Sequence, residues 1–264
     1  FPITPDNFSF LEFFMWGEKI KYANFFTNEF YLNFNKNKKN FKKFNDVVVL
    51  GSSAGDNYFR NLITFIPRLL FIPDKEVSLV IHRKSSNKLR EFIESILKIR
   101  GIKLKKFIYL DDNFYNFTNS LIPQYFSEKT CVKILNNIFK KKQQQNNRIY
   151  LTRKNSYYRK IINESDLIEE LKLKKFKIID LDTLSIDQQV NVFSSASIIV
   201  SPTSSALANI VFCKKGTKVV EIMPKYKFPY EEKYYKSRYF SICKLLGLKY
   251  FFIEADSVQI DKID

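Results

Sequence analysis

The sequence predicts an α/β protein built as two Rossmann-like domains with parallel sheets. Three observations carry that prediction. Short β-branched runs alternate with apolar residues at helical spacing through both halves of the chain. Ser197 to Ile222 spells one βαβ unit: apolar Ile198 to Val200, a turn at Ser201 and Pro202, a small-residue helix start, then Val219 to Ile222. Between the halves, Lys140 to Asn147 holds no apolar residue, so nothing in it calls for burial and it reads as a linker. The expected domains are 45–145 and 146–264, behind an N-terminal packing arm over 1–44.

Each element follows in order. The arm is aromatic-rich, with Phe10 to Trp16 its compact apolar cluster and Asn33 to Lys42 a solvated loop. Asp46 to Leu50 is a strand, Gly51 to Asn57 a Gly/Ser turn, and Tyr58 to Phe71 a helix. Val77 to Ile81 is the next strand, ending at His82, Arg83 and Lys84; Asn87 to Arg100 is an amphipathic helix closed by Gly101. Phe107 to Leu110 is a third strand, followed by Asp111 and Asp112, and Ser127 to Lys142 a further helix. The second half opens with a strand over Arg148 to Thr152, a helix over Asn163 to Leu173 and a strand over Phe176 to Leu181. Ser185-Ile-Asp-Gln188 reads as a capping box for a helix to Ser194. After the βαβ unit come a loop from Pro224 to Pro229, a helix from Lys233 to Leu246 stopped by Gly247, and a strand over Tyr250 to Ile253.

Composition bounds the function. With 264 residues, 45% of them hydrophobic, the chain can bury one large core or two modest ones, which excludes disordered and fibrous classes. A net charge of +17 favours phosphate-rich partners: nucleic acid, an anionic membrane or a nucleotide-linked substrate. Most of that charge is lysine scattered among Asn, Ile and Phe, which reads first as a compositional bias of the solvated surface. Arginine is sparse, so each one is more informative, its rigid fork being the better phosphate clamp. Cys131, Cys213 and Cys243 are far apart and form no metal-ligand spacing, which fits a reducing compartment. Phe1 stands where an initiator Met is expected, so a fragment or a processed chain is the expectation. No signal peptide stands at this start, and no apolar run approaches the roughly 20 residues of a membrane span. A soluble cytoplasmic protein is expected, whose basic surface allows peripheral association with the inner face of the membrane.

The candidate chemistry gathers at strand ends. Arg153 and Arg159 follow one strand of the second half and Ser201 to Asn209 follows another, so a parallel sheet brings both to its carboxyl edge. Free N–H groups at a helix start near Thr203 to Ser205, with two arginines nearby, would make a diphosphate site. Equally, those hydroxyls are ordinary N-caps and the arginines solvated, and spacing alone leaves both open. Glu221 closes the following strand and would accept bonds from ribose hydroxyls, or else serve a surface salt bridge. His82, the single histidine, and Asp56, in the first Gly/Ser loop, are the candidate bases. Their plainer roles are a solvated strand-end residue and a helix N-cap.

Five runs are similar, in order and spacing, to the family 61 glycosyltransferases, also described as capsular polysaccharide biosynthesis proteins. They are Arg148-Ile-Tyr-Leu-Thr-Arg153 with the Tyr-Arg-Lys-Ile-Ile-Asn-Glu164 that follows, Leu184 to Val190, Ser195 to Pro202 and Phe212 to Ile222. In the first half, Asn57-Tyr58-Phe-Arg60-Asn-Leu-Ile-Thr-Phe-Ile-Pro67-Arg68-Leu resembles that family's Asn-Tyr-x-His-Trp helix and its Pro-Arg-Leu continuation. The resemblance implies a GT-B fold, two Rossmann-like domains facing a cleft, and inverting transfer without an obligatory metal or other cofactor. It implies a nucleotide-sugar donor held by Arg153, Arg159, Pro202, Thr203, Ser204, Ser205, Asn209 and Glu221. A glycan acceptor would lie beside Asn57, Tyr58 and Arg60, with no nucleic acid as partner. This chain departs from the family where Gly-Pro-His-Gly-Ala-Gly-Leu-x-Asn becomes Ser201-Pro-Thr-Ser-Ser-Ala-Leu-Ala-Asn209, and where His-Trp becomes Arg60-Asn61. A catalytically inactive glycan- or partner-binding module and a basic nucleic-acid-binding α/β protein are the alternatives.

Overall fold

The computed structural model describes residues 36, 40–51, 57–111, 115–124, 126–139, 144–154, 160–225 and 229–256. The chain divides into two compact units, Phe1–Ser127 and Glu128–Asp264.

In the first unit, β1 (Lys42–Asn45) precedes β2 (Val48–Gly51), α1 (Tyr58–Arg60), β3 (Glu76–His82), α2 (Asn87–Arg100), β4 (Lys103–Leu110) and β5 (Tyr115–Thr118). β2, β3 and β4 form a parallel sheet in that order, and β1 pairs in parallel with β5. The run expected as one helix over 58–71 is a composite: α1 passes into a π-helical turn over Asn61–Phe65 and a 3₁₀ segment over Ile66–Phe71. Pro67 lacks the N–H that an α-helix would bond to residue 63, so the ladder widens before it and tightens after it. α2 keeps its predicted bounds. Ser86 Oγ caps it by accepting from Leu89 N at 3.2 Å, and Gly101 ends it in the left-handed region at φ 68°. Leu89, Phe92, Ile93, Ile96 and Leu97 make its buried stripe. β4 begins four residues ahead of the predicted Phe107, because Lys103, Lys105 and Lys106 hide its pattern. Lys103 and Lys105 instead reach Glu76 at 2.7 and 3.0 Å. β1 and β5 carry no strong run and were not predicted as strands; they meet through Phe44, which lies 5.9 Å from both Tyr115 and Phe117.

The second unit contains α3 (Glu128–Ile138), β6 (Asn147–Leu151), α4 (Glu164–Leu173), β7 (Phe176–Ile179), α5 (Ile186–Ser194) and β8 (Ala196–Pro202). A 3₁₀ helix over Ser205–Phe212, β9 (Lys218–Pro224), α6 (Pro229–Leu246) and β10 (Lys249–Ala255) complete it. The sheet is parallel throughout, in the order β10-β9-β8-β6-β7. From β6 the chain steps to β7 on one side, then returns past β6 to β8 and continues outward. The direction of winding reverses between β6 and β8, and in such sheets ligands lodge outside the carboxyl ends at that point. Tyr150, Leu151, Phe193, Ile199, Val219 and Met223 are buried in the core. The capping box is present as predicted: Ser185 Oγ accepts from Gln188 N at 3.3 Å and Ser185 N donates to Gln188 Oε1 at 2.8 Å.

The division of the chain falls ahead of α3, whereas the sequence placed it after that helix. Asn136 explains why: its amide donates to Val211 O at 2.8 Å and Cys213 O at 2.9 Å, so α3 belongs to the second unit. The end of the polar run is also anchored, correcting its reading as plain linker. Gln145 donates to Thr217 Oγ1 at 2.9 Å and Asn147 to Ser195 Oγ at 2.8 Å. Lacking apolar groups, these residues are held by amides. Among the described residues no helix is long and apolar enough to cross a membrane.

Candidate functional site

β6 and β8 are hydrogen-bonded neighbours, with Tyr150 opposite Val200. Their carboxyl ends therefore deliver Thr152 and Arg153 beside Ser201, Pro202 and Thr203. β8 extends through Ser201 and Pro202, which the sequence had read as a turn: Ser201 pairs with Glu221, Pro202 with Ile222, and Thr203 N still donates to Ile222 O at 2.8 Å. The strand carries Thr203 to the sheet edge, and the 3₁₀ helix starts at Ser205.

That helix start settles one of the open alternatives. Ser204 occupies the cap position in extended geometry, φ −165°, yet makes no side-chain cap bond. Thr203 and Ser204 are only 1% and 2% exposed, and neither Oγ1 of Thr203 nor Oγ of Ser204 has a hydrogen-bond partner in the structure. These hydroxyls are not ordinary N-caps. Leaving a buried hydroxyl unpaired costs about 1–3 kcal/mol, which makes this pair at the sheet edge a candidate contact for a polar ligand. The N–H groups of residues 205 and 206 precede the first intrahelical bond, Leu207 N to Ser204 O at 3.1 Å, and add donors with the positive end of the helix. Ser205 is exposed, and Asn209, fully buried, donates to Ala206 O at 2.9 Å and so braces the first turn. Among the described residues positive φ at non-glycine positions falls on Asp46, Asn119 and Lys175, and none on Ser201–Ala206. Serine and alanine are thus accommodated without backbone strain.

Arg153 is half-buried at the end of β6, so it is not a plain solvated residue. Its backbone N–H donates to Glu164 Oε1 at 3.0 Å, an oxygen that also accepts from Tyr150 Oη at 2.8 Å and Thr152 Oγ1 at 3.0 Å. Burial and then the Glu164 carboxylate push the Tyr150 phenol well above its ordinary range, keeping it a donor. Arg159 and Asp56 lie outside the described residues.

Glu221 requires a correction. It is the fourth residue of β9, not its end, and at 0% exposure it cannot serve a surface salt bridge. Its Oε2 accepts from Tyr250 Oη at 2.7 Å. Burial, followed by the Glu221 charge, raises both the Tyr250 phenol and the Cys243 thiol, the latter to about 12. Tyr239 reaches the same region, donating to Ser204 O at 2.6 Å. Tyr239 and Tyr250 carried no functional signal in sequence, since each acts on a partner 29–35 residues away, and Glu164, though it ends one of the family-like runs, was not among the candidate site residues.

The carboxyl edge of the first unit's sheet holds the remaining candidates. His82 ends β3 half-buried, and its Nδ1 accepts from Lys84 N at 3.2 Å. Asn57, not Asp56, is the cap of α1: its Oδ1 accepts from Arg60 N at 3.1 Å. Tyr58 packs edge-on to Phe92 at 6.0 Å, and Arg60 O accepts from Thr64 Oγ1 at 2.8 Å. Arg68, 1% exposed, donates to Leu50 O at 2.7 Å and Pro123 O at 2.9 Å, fixing the end of β2. Among the described residues no group of three or more His, Cys, Asp or Glu converges where it could hold a metal ion.

Comparison with known proteins bears on this arrangement directly. A search of curated proteins gave no match. A protein-family model described as Glycosyltransferase 61 matches residues 58–220, a span that runs from α1 through the switch point into β9. Because that match covers more than half of the sequence and includes both strand ends of the site, the chain belongs to the Glycosyltransferase 61 family.

Proposed function

We propose that this glycosyltransferase moves a sugar from a nucleotide-sugar donor to a glycan acceptor, with inversion at the anomeric carbon, and that the product is a surface or capsular polysaccharide. The observation that carries the reading is the pair of buried, unpartnered hydroxyls of Thr203 and Ser204 beside Arg153 at the β6/β8 switch point. In an in-line displacement the acceptor oxygen bonds to the anomeric carbon as its bond to the diphosphate oxygen breaks. Charge then grows on the leaving diphosphate. Arg153 and the 205–212 helix start supply positive potential there, in a water-poor edge where such groups act strongly. Thr203 and Ser204 donate to phosphate oxygens, and Arg159 belongs to the same set.

Glu221 serves the donor's ribose or sugar in this reading, held in orientation by Tyr250. The units are the acceptor-side and donor-side halves of a GT-B enzyme, with Asn57, Tyr58 and Arg60 on the acceptor side. Asp56 and His82 are the two candidate bases, and the Nδ1 of His82 accepts from Lys84 N. The exchange of the family's loop histidine for Thr203 favours, as a second reading, a module that binds the donor without turning it over.

Incubation with UDP-, GDP-, ADP- and dTDP-linked sugars and a panel of oligosaccharide acceptors separates the two. Acceptor-dependent release of the nucleotide from one donor is expected. Nucleotide binding without release from any donor would favour the binding module, and neither binding nor release would remove both readings.

A further inference from the structure

We propose that Glu164 is the positioning residue for Arg153: its buried carboxylate fastens the backbone of Arg153 to the start of α4 and presents that arginine, already ordered, to the leaving diphosphate. This rests on Arg153 serving the diphosphate as argued above.

Glu164 is the first residue of α4 and 8% exposed. One of its oxygens, Oε1, collects three donors from three successive parts of the chain. Tyr150 Oη, on the strand, stands at 2.8 Å; Thr152 Oγ1, just past the strand end, at 3.0 Å; and Arg153 N at 3.0 Å. The start of α4 is thereby tied to the carboxyl end of β6 through one side chain. Three donors on one oxygen need an acceptor held at that point, which the Glu164 side chain supplies. The N-terminal end of α4 favours a negative charge at this position. Asn163, at the cap position, makes no side-chain cap hydrogen bond.

In sequence Arg153 is followed by Lys154, Arg159 and Lys160, so its neighbours along the chain are cationic. A long arginine side chain also loses rotamer freedom on binding. Fixing its backbone in advance lowers the ordering cost that the ligand must otherwise meet. Glu164 thus acts through Arg153 rather than on the substrate. A carboxylate serving the fold alone would affect ligand binding equally whether or not Arg153 were present.

The test uses the full chain, with UDP, GDP, ADP and dTDP as calorimetric probes. Variants are Glu164→Ala, Glu164→Gln, Arg153→Ala and the Glu164→Ala/Arg153→Ala double, each checked for folding by circular dichroism. With the nucleotide that binds wild type best, Glu164→Ala is expected to weaken affinity about tenfold or more, while Glu164→Gln, which keeps an acceptor oxygen, stays within about threefold. In the Arg153→Ala background the further loss from Glu164→Ala is expected to fall below about twofold, the mark of two residues acting as one. Affinity unchanged in Glu164→Ala, or an equal loss with and without Arg153, overturns the inference and leaves the diphosphate site standing. Binding of none of the four by folded wild type overturns the diphosphate site and this inference with it. Should Glu164→Ala fail to fold, Thr152→Val removes one of the three bonds and carries the same comparison at about threefold. Hydrogen exchange of the Arg153 amide reads its bond to Glu164 without any ligand: slow exchange in wild type and fast exchange in Glu164→Ala are expected, and equal rates would sink the proposal.

Discussion

The phenol oxygen of Tyr239 lies 2.6 Å from the carbonyl oxygen of Ser204, so α6 grips the residue that opens the 205–212 helix. Both groups are buried, and this bond sets the backbone from which the Ser204 hydroxyl projects. Tyr239→Phe is therefore expected to cost about 1–3 kcal/mol of stability, measured by chemical denaturation, and to weaken nucleotide binding as well. Loss of stability with unchanged binding would show that the helix start does not touch the ligand.

Thr203→Val and Ser204→Ala are expected to behave in the opposite way. Each removes a buried hydroxyl that has no partner in the structure, so folding stability should hold or rise, by up to about 1 kcal/mol. Affinity for the nucleotide should nonetheless fall several-fold. A stabilised protein with weaker binding is the signature of a site kept polar for its ligand. Thermal unfolding and calorimetry on the same preparations check both halves.

Asn136 gives a test of where the second unit begins. Its amide bonds to Val211 O and Cys213 O tie α3 to the end of the site helix. Asn136→Ala leaves two carbonyls without that donor and should destabilise the second unit by about 1–3 kcal/mol. Proteolysis should then open the α3 region ahead of the first unit. Unchanged protection there would mean that α3 is dispensable to the second unit.

Stability should decline at alkaline pH. Burial, then Glu221, raises the Cys243 thiol from an ordinary 9.0 to about 12, and burial raises Cys213 and the Tyr150 and Tyr250 phenols as well. Between pH 9 and about 12 the unfolded chain loses the Cys243 proton while the folded chain keeps it. The unfolded state then binds fewer protons, so stability falls as pH rises, by about 1.4 kcal/mol per pH unit for each such group. Melting temperatures should hold steady below pH 9 and fall above it, and Cys243→Ser should flatten the decline. All three cysteines are free and buried, so thiol reagents should label them only after unfolding.

Much of this was legible in the sequence, for identifiable reasons. Elements with a strong period and a clear stop survived intact, as in α2 between Ser86 and Gly101 and α5 behind its capping box; the unit at 197–222 kept its strand-helix-strand order, with β8 running through the expected turn and a 3₁₀ helix following it. The family resemblance read from ordered motifs agrees with the family match over 58–220. Segments whose pattern was diluted by lysine or asparagine were lost, as in β1, β5 and the front of β4. The 58–71 run was misread as a uniform helix because periodicity does not reveal how Pro67 redistributes hydrogen bonds. In the site, strand ends could be located, since a parallel sheet fixes which loops share an edge. What sequence could not give was burial. Glu221 looked like a strand-end carboxylate and is enclosed in mid-strand, and the cap-like Thr203 and Ser204 have hydroxyls that cap nothing.

The most direct measurement is a crystal structure of the chain grown or soaked with a nucleoside diphosphate. The account predicts diphosphate oxygens within hydrogen-bond distance of Thr203 Oγ1 and Ser204 Oγ, with the Arg153 guanidinium on the same phosphates. A nucleotide bound elsewhere, with both hydroxyls still unpaired, would contradict it.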